Sequence, residues 1–141
     1  MATTNKTINH LKYADLPQVA RGIGIVNQPI ASKEIGARSL HSGITVMPAK
    51  TAVPPHIHNA EEQVTVLEGT MRIVLDGDKE VFCSKYDSTF ISPGVQHELI
   101  NDTDEPVIAM VIYGSANVNR TFSETGETVE IGSDRDKFPA N

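Results

Sequence analysis

Tryptophan is absent from this chain, cysteine occurs once, and aromatic residues fill only 5% of its 141 positions. A single thiol, Cys83, excludes an internal disulfide, so packing and hydrogen bonding must hold the fold. That fits a reducing compartment. Cys83 lies in the apolar stretch "KEVFCSK" with no histidine or second cysteine beside it, and reads as a small core residue rather than a reactive thiol. No apolar run is long enough to cross a bilayer, and the first thirty residues lack the continuous apolar stretch of a signal peptide. A cytoplasmic protein without membrane contact is expected. Basic runs are missing too: 12 Lys and Arg are scattered among 18 Asp and Glu, giving a net charge of -6. Without clustered cations to neutralise phosphates, nucleic acid is a poor partner.

What the chain does contain is a series of short apolar runs bounded by Gly, Pro, Asn and Asp. The clearest are "ITVM" (44–47), "QVTVLE" (63–68), "MRIVLD" (71–76), "EVFC" (80–83), "TFIS" (89–92), "HELIN" (97–101) and "VIAMVIY" (107–113). Alternation over four to seven residues with turn signals between is the pattern of an all-β domain, a sandwich or barrel. Asp76-Gly77 is the sharpest of those signals, because a primed hairpin turn needs positive φ and Asp-Gly adopts it at little cost. The chain length suits one domain. We expect a barrel over 41–113, an N-terminal arm over 1–40 with a short helix near "YADLPQVA" and a strand at "GIGIV", and a polar extension over 114–141 with one late strand at "ETVEI".

The chemistry concentrates in "PPHIHNAEEQ". Side chains two apart on a strand share a face, so His56 and His58 project together. Glu62 has their parity and Glu61 does not, which assigns Glu62 to the histidines and Glu61 to solvent if the strand is unbroken. A His-x-His pair alone is a weak signal. A third imidazole comes from "SPGVQHELIN", where the Pro93-Gly94 turn delivers His97 to the start of a strand. Three neutral imidazoles and a carboxylate suit a divalent Fe, Mn, Ni, Co, Cu or Zn ion and leave positions open for a ligand. His10 and His41 have no such context and read as ordinary polar residues.

These two stretches resemble the two cupin motifs. His56, His58, Glu62 and Gly69 meet the first, His-x-His, three residues, Glu, six residues, Gly; Pro93, Gly94, His97 and Asn101 meet the second, Pro-x-Gly, two residues, His, three residues, Asn. The resemblance to small single-domain cupins implies a jelly-roll β-barrel with one metal ion held inside by His56, His58, Glu62 and His97. It departs at two turn glycines, replaced here by Lys50 and Tyr86, where a Cβ costs up to about 1 kcal/mol in a left-handed conformation.

The implied activity is that of a metal-dependent enzyme on a small organic molecule, with oxygen-dependent, dioxygenase-type oxidation ahead of isomerase or lyase chemistry. A non-catalytic binding module is the alternative. Val64, Val66, Val74, Phe90 and Met110 are candidates to wall the site, Arg72 to meet a substrate carboxylate, and Asn101 to fix local backbone near it. Small cupins commonly pair, by exchanging an N-terminal strand or by packing sheet on sheet, so the resemblance implies a homodimer, with Ile23–Val26 as the candidate for an exchanged strand.

Overall fold

The computed structural model describes residues 6–139. Residues 1–5 of the expected N-terminal arm and 140–141 of the C-terminal extension lie outside that range. The seven alternating runs form strands β3 (His41–Met47), β5 (Glu62–Glu68), β6 (Met71–Leu75), β7 (Lys79–Cys83), β8 (Ser88–Ile91), β9 (His97–Asn101) and β10 (Val107–Tyr113), and β4 (Thr51–His58), between β3 and β5, forms from the stretch that holds the His-x-His pair. The flanks add β1 (Val19–Ala20) and β2 (Val26–Pro29) before them, and β11 (Asn119–Phe122) and β12 (Thr128–Glu130) after. Two six-stranded antiparallel sheets result, ordered β1-β2-β3-β10-β5-β8 and β12-β11-β4-β9-β6-β7. This is an all-β, jelly-roll barrel architecture.

Strict alternation sends one face of each strand inward. Along β10, Val107, Ala109, Val111 and Tyr113 are buried while Ile108, Met110 and Ile112 are only partly covered. Met47, Val64, Val66, Met71, Ile73 and Val107 join them in one apolar cluster between the sheets. Each such side chain contributes roughly 1.5–3 kcal/mol through burial. Cys83 is buried in the same cluster.

Turn chemistry sets the connections. Asp76 and Gly77 both take positive φ, 55° and 84°, in the β6–β7 hairpin, as the Asp-Gly signal predicts. Gly69 (φ 83°) is irreplaceable for a second reason: a Cβ there would sit 2.7 Å from the Pro106 carbonyl oxygen.

The flanks differ from the sequence expectation. A helix near "YADLPQVA" shrinks to one 3-10 turn, Tyr13–Asp15, because Pro17 forces the preceding Leu16 into extended backbone at ψ 138°. In "GIGIV" the residues Gly22, Ile23 and Gly24 all have positive φ, so this segment is a turn, with the strand starting only at Val26. Both flanks extend the barrel's own sheets: β2 pairs with β3, and β11 pairs with β4 through Arg120↔His58, Thr121↔Ile57 and Phe122↔His56.

Candidate metal centre

β4 carries two adjacent prolines, Pro54 and Pro55, which cannot donate to a sheet ladder. The register between β4 and β9 shifts at this point, between Val53 and His56, and then resumes with His56 opposite His97. The irregularity accommodates the missing donors and places those two rings face to edge, with centroids 4.2 Å apart. His58 follows two residues on, on the same inner face. The turn at Pro93-Gly94 is tied to it, the Gly94 N–H donating to the His58 carbonyl at 3.0 Å.

Glu62 reaches this group by another route. The strand breaks after His58, and Glu62 opens β5 in the opposite sheet. The parity argument through an unbroken strand therefore does not describe how Glu62 comes to face the histidines. Asn59–Glu61 is a corner between sheets, and the inner face of each sheet is the same interior. Glu62 is buried there, and Glu61 is exposed.

All three imidazoles are in one tautomer. His56 Nδ1 donates to the Pro54 carbonyl (2.6 Å), His58 Nδ1 to that of Asn119 (2.8 Å) and His97 Nδ1 to that of Val95 (2.9 Å). A carbonyl only accepts, so each Nδ1 carries a proton, and in the neutral ring Nε2 then presents a lone pair. Burial lowers the His56 pKa well below its ordinary value, with Arg120 adding to the effect. Burial likewise brings His58 down to about 4 against the pull of Glu62. Both rings are neutral at pH 7, the form that ligates metals.

One ring nitrogen from each of His56, His58 and His97 lies within 4.8 Å of the others. His56 Nε2 and His58 Nε2 are 3.1 Å apart, close to the separation of about 3.0 Å for two nitrogens at right angles, each about 2.1 Å from one ion. Glu62 Oε1 joins from one side, 2.9 Å from His97 Nε2 and 3.4 Å from His58 Nε2. The short approach to His97 does not have the geometry of a hydrogen bond. Both atoms are buried without a hydrogen-bond partner. Orphaned acceptors converging on one point carry a desolvation cost that a cation relieves. The donor set therefore fits a divalent ion. Burial works against the Glu62 carboxylate, but His97, His58 and Arg120 together hold its pKa below the usual value.

Two residues absent from the sequence reading complete the site. Arg120, from β11, is buried, and its Nη1 donates to His56 Nε2 at 3.0 Å while Nε pairs with Asp136 Oδ1 at 2.8 Å. Tyr113, at the end of β10, packs edge-on against His58 at 4.9 Å. Burial and the adjacent Glu62 carboxylate raise its pKa well above the ordinary value, so it stays protonated. The interior beside His56 and Glu62 is a cavity of only about 20 Å³, walled by Val53, Leu99, Val111, Tyr113, Arg120 and Phe138.

The expected wall residues divide by face. Val64 and Val66 are buried in the apolar layer beyond Glu62 along β5, off the cavity itself. Phe90, Met110 and Val74 do not wall the site. Each sits at the outward parity of its strand, and Phe90 is 63% exposed. Arg72 is likewise outside, on the far face of β6, where it bonds Asp102 (2.7 Å) and Glu80 (2.9 Å) and meets no cavity. Asn101 clamps a loop: its amide donates to the Met47, Pro48 and Glu105 carbonyls, and its oxygen accepts from Thr103. His41 stacks on Tyr113 at 5.8 Å but stands outside the cluster, and His10 is exposed.

Residues 43–113, half of the chain, match the family described as Cupin domain. The chain belongs to the cupin family. No curated protein matches the sequence of this cupin. Solved structures do match its fold. The polyketide cyclase RemF from Streptomyces resistomycificus superposes with a TM-score of 0.71 at 17% identity, covering 92% of this cupin and 89% of the cyclase. A sugar phosphate isomerase of the cupin superfamily from Silicibacter pomeroyi gives 0.69 at 15%, covering 94% and 98%. KdgF from Halomonas sp. gives 0.67 at 14%, covering 77% and 94%. At these identities the likeness establishes the barrel and nothing finer.

Proposed function

We propose that this cupin is a metal-dependent enzyme acting on a small organic molecule, with one divalent transition ion held by His56, His58, Glu62 and His97. The observation that carries the reading is the orphaned pair, Glu62 Oε1 and His97 Nε2, buried among two further imidazole lone pairs. Such an ion supplies Lewis acidity and, if it is Fe, Mn, Co or Cu, one-electron chemistry with oxygen. The chain's own residues do the rest. The backbone bonds at each Nδ1 hold the rings in place and make them better donors. Tyr113, protonated and beside Glu62, keeps a neutral hydroxyl on the cavity wall as a hydrogen-bond donor. Val53, Leu99, Val111 and Phe138 exclude water and strengthen the electrostatics inside.

Oxygen-dependent oxidation remains the favoured chemistry. A three-histidine, one-carboxylate set suits a redox ion, and a cavity of about 20 Å³ takes a water-sized or diatomic molecule. The cyclase and isomerase among the structural neighbours favour a second reading, non-redox isomerase or lyase chemistry at the same ion. One experiment separates them. Metal content is measured on protein produced without added metal, followed by oxygen uptake against a panel of enols, thiols and hydroxy acids. Stoichiometric metal with substrate-dependent uptake is expected, and both should be lost in His97→Ala. Metal without uptake on any substrate would move the assignment to the non-redox class. Absence of metal, with His56→Ala unchanged in its properties, would end the enzyme reading and leave a binding module.

A further inference from the structure

Besides the imidazoles, the interior holds four charged side chains: Glu62, Asp136, Arg21 and Arg120, none more than 6% exposed. Two are negative and two positive, so they balance. Holding an ion through Nε2, with each Nδ1 donating to the backbone, the three histidines would add no charge of their own. A divalent ion added to this interior leaves two positive charges uncompensated in a water-poor space, an arrangement proteins neutralise with an anion.

The geometry also says where that anion belongs. Arg21 is committed to structure: its Nε donates to Asn27 Oδ1, and its Nη1 to the carbonyls of Ser133 and Asp136. Arg120 is used differently. A guanidinium serving only as a tether would face its carboxylate with two parallel N–H groups. Here Nε alone goes to Asp136, and Nη1 turns inward to His56 Nε2, on the cavity. The His56 lone pair serves either that N–H or a metal ion, not both. A bound ion therefore releases an oriented cationic donor into the cavity.

We propose that Arg120 selects the ligand of this site, and that the ligand is a small organic anion whose carboxylate or enolate oxygen accepts from Arg120 Nη1 beside the metal. The inference rests on the metal reading above. Entry follows from the same contacts. A groove of about 470 Å³ on the outside shares Arg21 and Gly132 with the wall of the C-terminal segment. The turn from Gly132 to Asp136 is held by the bond from Gly132 N–H to Asp136 Oδ2, and Asp136 in turn holds Arg120. An organic anion too large for about 20 Å³ reaches Arg120 by displacing this segment. The group it displaces, Asp136, is itself a carboxylate, the chemistry that Arg120 is proposed to select.

The test uses the full-length protein loaded with Co(II), with acetate and acetamide as probes and the visible cobalt bands as readout. Acetate is expected to bind the natural protein about 10-fold or more tightly than acetamide. Arg120→Gln should weaken acetate about 10-fold while cobalt stays at one per chain, with Arg120→Lys falling between them. Asp136→Asn, which removes the competing carboxylate, should tighten acetate. Acetate affinity within about twofold of the natural protein in Arg120→Gln at full cobalt overturns the inference and leaves the metal reading intact. If Arg120→Gln does not fold, Asp136→Asn decides alone, and unchanged or weaker acetate binding there overturns it. Failure of Co(II) to bind the natural protein takes down the metal reading and this inference together.

Discussion

Tyr86 and Lys50 stand at φ 73° and 59°, in the left-handed region that a side chain with a Cβ enters at a cost. These are the two positions where the cupin motifs carry glycine, and the backbone has kept the glycine conformation without the glycine. Tyr86 is 70% exposed, so its ring recovers little of that cost. Tyr86→Gly should therefore stabilise the protein by about 0.5 kcal/mol, net of the extra freedom glycine brings to the unfolded chain, measured as a higher urea midpoint. Glu62→Gln removes the charge of the one carboxylate among the proposed ligands while keeping its shape, and should cut metal affinity by at least about 10-fold by calorimetry. Acid acts on the same residues. The His58 pKa is about 4 when folded and near 6.5 when unfolded, so below pH 6.5 the unfolded chain takes up a proton that the folded one refuses. Metal-free protein should lose about 3 kcal/mol from this residue as pH falls from 6.5 through 4, with nothing further lost from it below. Glu62 acts in the same sense, since a lowered carboxyl pKa stabilises above its unfolded value and ceases to do so in acid. Urea midpoints against pH, compared with His58→Gln, measure the slope.

Among the elements, β4 and β9 were legible and β11 was not. The histidine strands announce themselves by spacing and by a Pro-Gly turn, both local features. β11 reads "NRTF" within a polar tail, and its pairing with β4 joins residues some sixty positions apart, which no local pattern records. Arg120 and Asp136 were therefore missed, although two charged residues buried at 6% and 0% are costly enough to require mutual pairing. The misplacement of Phe90, Met110 and Arg72 has a different origin. Alternation tells which residues share a face, but only the assembled barrel tells which face is inside. The Phe138 N–H donates to the Arg21 carbonyl at 2.5 Å, its ring faces Arg120 at 4.9 Å, and a Cβ at Gly22 would collide with its carbonyl at 2.5 Å. Phe138→Ala should cost about 3 kcal/mol and open the cavity, so that a chelator strips metal faster than from the natural protein in a stopped-flow assay.

At the scale of the molecule, the barrel is a rigid frame whose two flanks add strands to its edges. We propose the division at 40 and 113 as functional as well as positional: the core strands bring the histidines and Glu62 together, and the C-terminal extension encloses them. The N-terminal arm leaves Ile8, Leu11, Tyr13 and Leu40 exposed, an apolar surface consistent with the proposed homodimer. Light scattering should give twice the chain mass of 15.3 kDa, and a monomer at all concentrations would remove the dimer. No helix among the described residues is long and apolar enough to cross a membrane. The placement of Arg120, Asp136 and Phe138 after every proposed ligand has one more consequence. A polypeptide leaves the ribosome from its N-terminus, so the segment carrying His56 to His97 emerges while the residues that close the cavity are still being made. Synthesis thus offers an interval in which an ion can be acquired before the door to its site exists.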